Sequence, residues 1–312
     1  MNRRELVLAA AALAFAPDAV ARRAPIALVT ADRESRIVAV RLSDGNVLRH
    51  IATLGGPRSI ERVGETAVVA HTAHGAVSLV DARRLGVREV LHEFEEPRYA
   101  AASPSGRYAF VSDSGSHSVV AVDVVRGRVV RRVAVGGPAR HISIDRAGKH
   151  VWTSLGTKAP RIAVVDVRDP LRPALLGRIQ PPFLAHDVGF AHSAGRIWVT
   201  SGDRQELALF DPRSARVLAK LAAGAPPQHV TFNGRLAFVT SGDDGTLHTH
   251  EIATGRLLGA ARVPVGSYNV QEGFGLILMP SLSRGTLCVA DGTGRVTRQV
   301  RVARSSHDAC FA

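Results

Sequence analysis

Three stretches, Val119-Val120-Ala121-Val122-Asp123, Ile162-Ala163-Val164-Val165-Asp166 and Leu207-Ala208-Leu209-Phe210-Asp211, decide how this chain folds. Each is a short apolar run with the length and composition of a strand, and each ends on a carboxylate before a polar turn. The same position recurs at Arg41, Asp81, Asp123, Asp166, Asp211, Glu251 and Asp291, spaced by 40, 42, 43, 45, 40 and 40 residues. A period of about 40 to 45 residues with several short strands per unit is the signature of propeller blades. Seven markers mean seven blades. The recurrent carboxylate reads as structural, because a short acid at a strand end accepts hydrogen bonds from turn amides.

Four strands are legible within one unit. In the third, they are Tyr99 to Ala102, Tyr108 to Ser112, Ser118 to Val122 and Val129 to Val135. The turns between them carry Gly or Pro, as at Ser103-Pro104-Ser105-Gly106 and Arg126-Gly127. Helical periodicity is absent after residue 21. The expected fold class is all-β, a seven-bladed β-propeller spanning residues 22–312 as one domain, with about 42 residues per blade.

The two ends of the chain complement each other. Ala185-His186-Asp187-Val188-Gly189-Phe190-Ala191 opens the fifth unit, and the terminus reads Ser306-His307-Asp308-Ala309-Cys310-Phe311-Ala312. His, Asp, Phe and the final Ala coincide, so the terminus reads as another innermost strand. From Ile26 the chain begins with a second-strand pattern. The C-terminal strand is therefore expected to close blade one, which leaves no open sheet edge in the ring.

Second strands read Phe110-Val111-Ser112-Asp113, Trp198-Val199-Thr200-Ser201 and Phe238-Val239-Thr240-Ser241, and Gly56-Pro57 and Gly137-Pro138 precede first strands. These motifs resemble the tyrosine-valine-threonine-asparagine signature of the YVTN family of β-propeller repeats, a WD40-like repeat. The resemblance covers essentially all of residues 22–312 and departs in blade seven, where Met279-Pro280-Ser281 stands in place of the signature. It implies the fold and no single activity, since the relatives include lactonase-like enzymes, parts of redox proteins and surface proteins without known catalysis.

Residues 1–21 have the layout of a secretory signal peptide: Arg3 and Arg4, an apolar run from Leu6 to Phe15, and Ala19-Val20-Ala21 as a cleavage site. The protein is expected to be exported, periplasmic or extracellular, and Arg3-Arg4-Glu5-Leu6-Val7 resembles a twin-arginine signal. No transmembrane segment is expected, since spanning takes about 20 apolar residues. The net charge of +13 is carried almost wholly by dispersed arginine; Lys149, Lys158 and Lys220 are the only lysines. Nucleic-acid binding calls for a clustered basic face with stacking aromatics, and aromatics are only 5% here. Cys288 and Cys310 fall on strands of different blades, too far apart for a disulfide, and are expected to stay unpaired.

Aligning the starts of the innermost strands gives two columns at the funnel mouth. One reads Arg58, Arg98, Arg140, His186, Gln228, Tyr268 and His307; the next reads Ser59, Tyr99, His141, Asp187, His229, Asn269 and Asp308. The positions that follow read as small or apolar. The three arginines form an arc suited to a carboxylate or phosphate, so a small anionic ligand is one expected partner. Alternatively, His141, His186, His229 and His307 converge on zinc or copper, with Asp187 and Asp308 as ligands or orienting groups. A third possibility is a solvated rim whose arginines pair with acids, leaving an interaction scaffold for a protein partner. The chain lacks the G-x-S-x-G and phosphate-loop motifs. A binding protein is therefore favoured over an enzyme; a lactonase- or lyase-like enzyme would use His141 or His229 as base beside Arg140. Trp152 and Trp198 read as packing residues, His71 and His74 as members of a mouth-side loop, and His248 and His250 as surface residues.

Overall fold

A computed structural model describes residues 24–312 apart from His192 and Ala194, so the export signal expected over residues 1–21 lies outside the described residues. Seven four-stranded antiparallel sheets follow one another around a ring. In blade three the strands are Pro97–Ala102, Tyr108–Asp113, Ser118–Asp123 and Arg128–Ala134, within two residues of the boundaries read from sequence. The recurrent carboxylates cap the turns as expected: Asp81 Oδ1 accepts the amides of Arg83 at 3.0 Å and Arg84 at 2.8 Å, and Asp291 Oδ1 that of Thr293 at 3.0 Å.

Blade one is closed from both ends of the chain. Ala309–Phe311 pairs antiparallel with Ile26–Ala31, in the register Ala27 to Phe311, Leu28 to Cys310 and Val29 to Ala309. Gly273 of blade seven lies under the Phe311 ring; a Cβ there would stand 2.5 Å from Cδ2 of that ring, so only glycine leaves room for the closing strand.

The core is a ring of seven clusters, each built by two adjacent blades. Blades one and two share Leu28, Ile37, Ile60, Val69 and Cys310; blades seven and one share Leu278, Leu287, Ala27, Val29 and Phe311. The closing strand thus contributes to both interfaces of blade one. Trp152 and Trp198 are buried packing residues between blades four and five and between five and six. Every pairing of third and fourth strands carries a bulge at the same place, which twists the outer edge of each blade.

Two expectations are corrected here. His248 and His250 are buried, because the third strand Thr246–Glu251 lies inside its blade and packs against both neighbours. His71 ends a second strand, where Gly55 O and Ser78 Oγ satisfy both ring nitrogens; only His74 lies in the loop. Both cysteines are free and buried.

Candidate functional site at the channel mouth

The two columns fall where the innermost strands break their ladders. In blades three, four and five, Arg98-Tyr99, Arg140-His141 and His186-Asp187 form bulges, each pair opposing a single residue of the second strand: Ser112, Ser154 and Thr200. A bulge leaves backbone groups unpaired and re-aims side chains. Here the opposing hydroxyl fills the gap. It accepts the second-column amide in five blades, at 3.1 Å for Tyr99, 3.2 Å for His141, 2.9 Å for Asp187, 3.4 Å for His229 and 2.9 Å for Asp308. Several of these hydroxyls also donate to a first-column carbonyl of the next blade: Thr200 to Gln228 at 2.7 Å, Ser112 to Arg140 and Thr240 to Tyr268. The hydroxyl position of the repeat signature therefore sets the backbone of the mouth.

All seven second-column residues line a central cavity of about 550 Å³; the first-column residues are not part of its lining. Asp187 and Asp308 share one structural task. Each accepts the next amide in its own strand, Val188 and Ala309, and reaches an innermost-strand amide of the following blade, Val230 at 3.2 Å and Ile60 at 3.0 Å. The His-Asp match between the fifth unit and the terminus reflects this inter-blade link.

Three of the four expected histidines come together. His141, His186 and His229, from blades four, five and six, place ligand nitrogens within 4.8 Å of one another. Ring centroids are 4.3 Å apart for His141 and His186 and 4.7 Å for His141 and His229. His186 Nδ1 donates to Thr157 O at 3.0 Å, and His229 Nδ1 stands 3.3 Å from Asp187 Oδ2. Neither ring nitrogen of buried His141 makes a well-formed hydrogen bond among the described residues. Burial, reinforced by the neighbouring histidines, holds His141 well below the ordinary histidine range and His186 down to about 4. His307 stands apart, across Tyr99 at 6.4 Å, with Nδ1 donating to Arg58 O at 2.7 Å. Asn269 donates to the His307 carbonyl at 2.7 Å.

The arginines differ among themselves. Arg58 pairs with Asp32 across blades at 3.5 Å, and Arg98 with Glu96 at 2.9 Å. Arg140 Nε is buried without a partner among the described residues. Burial, with the repulsion of Arg98 and Arg58, lowers its pKa, and its charge is felt at Tyr99, His141, His186 and His307. Tyr99 is raised by burial and packs on His141 at 4.6 Å.

The sequence reading missed the acids inside the channel. The positions after the columns are not uniformly small or apolar: Glu61, Gln271 and Glu272 line the cavity. Gln271 Nε2 donates to Glu61 Oε2 at 3.1 Å across blades seven and two, and burial raises Glu61 to about 7. Asp32, in the turn Asp32–Glu34, accepts the His307 amide at 3.1 Å and is raised by burial to about 6. Glu61 was legible as the one acid at a position where the other blades carry Ala101, Ser143, Gly189, Thr231, Gln271 and Cys310. Asp32 gave no such signal.

No protein-family model matches the chain, and no curated protein does. Among solved structures it is similar to dihydro-heme d1 dehydrogenase NirN in complex with DHE, at TM-score 0.65 and 14% identity over 90% of this chain. The chain spans 64% of that protein's length. It is also similar to Kuenenia stuttgartiensis hydrazine synthase, at TM-score 0.65 and 16% identity, covering 81% of this chain and 88% of the other. At such identities the likeness shows the propeller fold alone.

Proposed function

We propose that the chain is an exported, YVTN-type propeller that binds a small anion, a carboxylate or phosphate, at its channel mouth. Arg140 carries this reading: a buried guanidinium nitrogen has no partner among the described residues, while Arg58 and Arg98 are already paired with acids. A buried charged donor left unmatched is costly, and an anion supplies the missing acceptor. Neutral His141 and His186 and the phenol of Tyr99 add polar groups beside it without competing negative charge. Export rests on the signal-like residues 1–21.

The test is calorimetric titration of chelator-treated protein with citrate and inorganic phosphate. Binding by wild type should weaken about 5- to 150-fold in Arg140→Ala, the equivalent of about 1–3 kcal/mol for a charge-assisted hydrogen bond. Arg213→Ala, in an exposed turn, should change it little. Equal affinity of wild type and Arg140→Ala, or no binding of either probe, rejects the reading.

A further inference from the structure

We infer that His141, His186 and His229 form a three-nitrogen site for a divalent transition-metal cation, zinc or copper, beside the central cavity. The inference rests on the imidazole geometry and is independent of the anion reading, which rests on Arg140.

Three observations carry it. The first is convergence: side chains from three blades bring ligand nitrogens within 4.8 Å of one another. Metal–nitrogen bonds of about 2.1 Å at tetrahedral angles set donor nitrogens about 3.4 Å apart, so small torsional adjustments of the rings close the set. The second is orientation. A carbonyl can only accept, so His186 carries its proton on Nδ1, toward Thr157, and keeps the Nε2 lone pair. Asp187 Oδ2, 3.3 Å from His229 Nδ1, is placed to favour the same tautomer there. A carbonyl or carboxylate behind a ligating imidazole is the usual outer support of a metal-bound histidine, fixing tautomer and ring direction. The third is His141, fully buried with neither ring nitrogen in a well-formed hydrogen bond among the described residues, the His186 backbone being the one acceptor near enough to act on it. A buried imidazole so poorly matched costs stability unless something completes its bonding.

The ligand set is three neutral nitrogens, with no thiolate and with Asp187 turned to outer support. That set suits zinc or copper over calcium or magnesium, which require oxygen. His307, whose Nδ1 already bonds Arg58 O, lies outside the tripod. Three protein ligands leave one tetrahedral position for a fourth donor.

The experiment uses purified protein stripped with a chelator and titrated with zinc chloride in a non-coordinating buffer free of phosphate and carboxylates. Wild type should bind one equivalent. His186→Ala, half-buried and outside the hydrophobic core, should fold normally and bind more than about 100-fold more weakly. Asp187→Asn, which keeps one acceptor oxygen for the Val188 or Val230 amide and turns the other into a donor, should weaken binding about 10- to 100-fold, as loss of outer support does, with a circular-dichroism spectrum like that of wild type checking that the fold is kept. Copper(II) loaded in place of zinc should show hyperfine splitting from three nitrogens. Arg140→Ala, the variant that weakens the anion site, should keep the metal. No stoichiometric binding by wild type, or equal binding by wild type and His186→Ala, overturns the inference.

Discussion

Deleting Ser305 to Ala312 is expected to destabilise the whole ring instead of fraying one end. The segment supplies the innermost strand of blade one, with Ala309, Cys310 and Phe311 all buried. Phe311 belongs to the cluster between blades seven and one, and Cys310 to that between one and two, so two interfaces lose core atoms together. Truncating a buried Phe alone costs about 3–5 kcal/mol. Removing Asp308 leaves the Ile60 amide without its acceptor, a further loss of about 1–3 kcal/mol. With Cys310 and the paired backbone included, the total is about 6–10 kcal/mol, comparable with the whole stability of a folded domain, about 5–15 kcal/mol. Scanning calorimetry on full-length and truncated protein should show a midpoint at least about 10 °C lower, at about 2 °C per kcal/mol for a chain of this size. Phe311→Ala provides a milder step, with an expected fall of about 5–10 °C. Coincident midpoints for full-length and truncated protein would refute closure as a source of stability.

Two further outcomes follow from the mouth and channel. Glu61 holds its proton more tightly folded, at about 7, than unfolded, at 4.5. Its contribution to stability is therefore greatest below about pH 4.5 and is lost as pH rises toward 7. Glu61→Gln should gain stability relative to wild type across that window, levelling above it at no more than about 3 kcal/mol; parallel stability–pH curves for the two proteins would contradict this. Thr200→Val keeps the shape but removes the hydroxyl that accepts the Asp187 amide and donates to the Gln228 carbonyl. Urea unfolding should show a loss of about 1–3 kcal/mol, with Thr200→Ser close to wild type; equal stabilities for the Val and Ser variants would remove the proposed role of the signature hydroxyl.

The fold was legible because a propeller repeats its physics. Each blade buries both faces of its middle strands against neighbours, so each repeat writes the same apolar runs and the same turn carboxylate, and the runs ending at Asp123, Asp166 and Asp211 sufficed. His248 and His250 were misread because polar residues in an apolar run suggest exposure; here the blade interface encloses them, and Gly255 O satisfies His250 Nδ1. The role of Glu61 was invisible for a different reason. Its partner, Gln271, lies 210 residues away, and only ring closure brings blades two and seven together.

The site was legible as a ring but not as a cluster. Near-sevenfold repetition puts aligned positions at one height, so the second column was bound to share an opening. Which members meet depends on side-chain length and direction, and the long residues are unevenly spread. Imidazoles from blades four, five and six gather with Tyr99, whereas blades one and two offer Asp308 and Ser59, spent on Ile60 and on the Arg98 carbonyl. The second-strand hydroxyls explain how such asymmetry is tolerated. They bond backbone amides and carbonyls of the columns, so the mouth keeps its shape whether the column residue is Tyr99, His141 or Asp187. Even blade two, with Ala70 at the hydroxyl position, ties its neighbour through Ser59 Oγ. At Tyr99, His141 and His229 the backbone is held by second-strand hydroxyls, so ligand choice can vary there without loss of the ring, whereas the Asp187, Asp308 and Ser59 side chains themselves hold backbone of the next blade. Substitutions at His186 and Arg140 should therefore alter what the mouth binds while leaving the ring intact, whereas Thr200 should act on the ring itself.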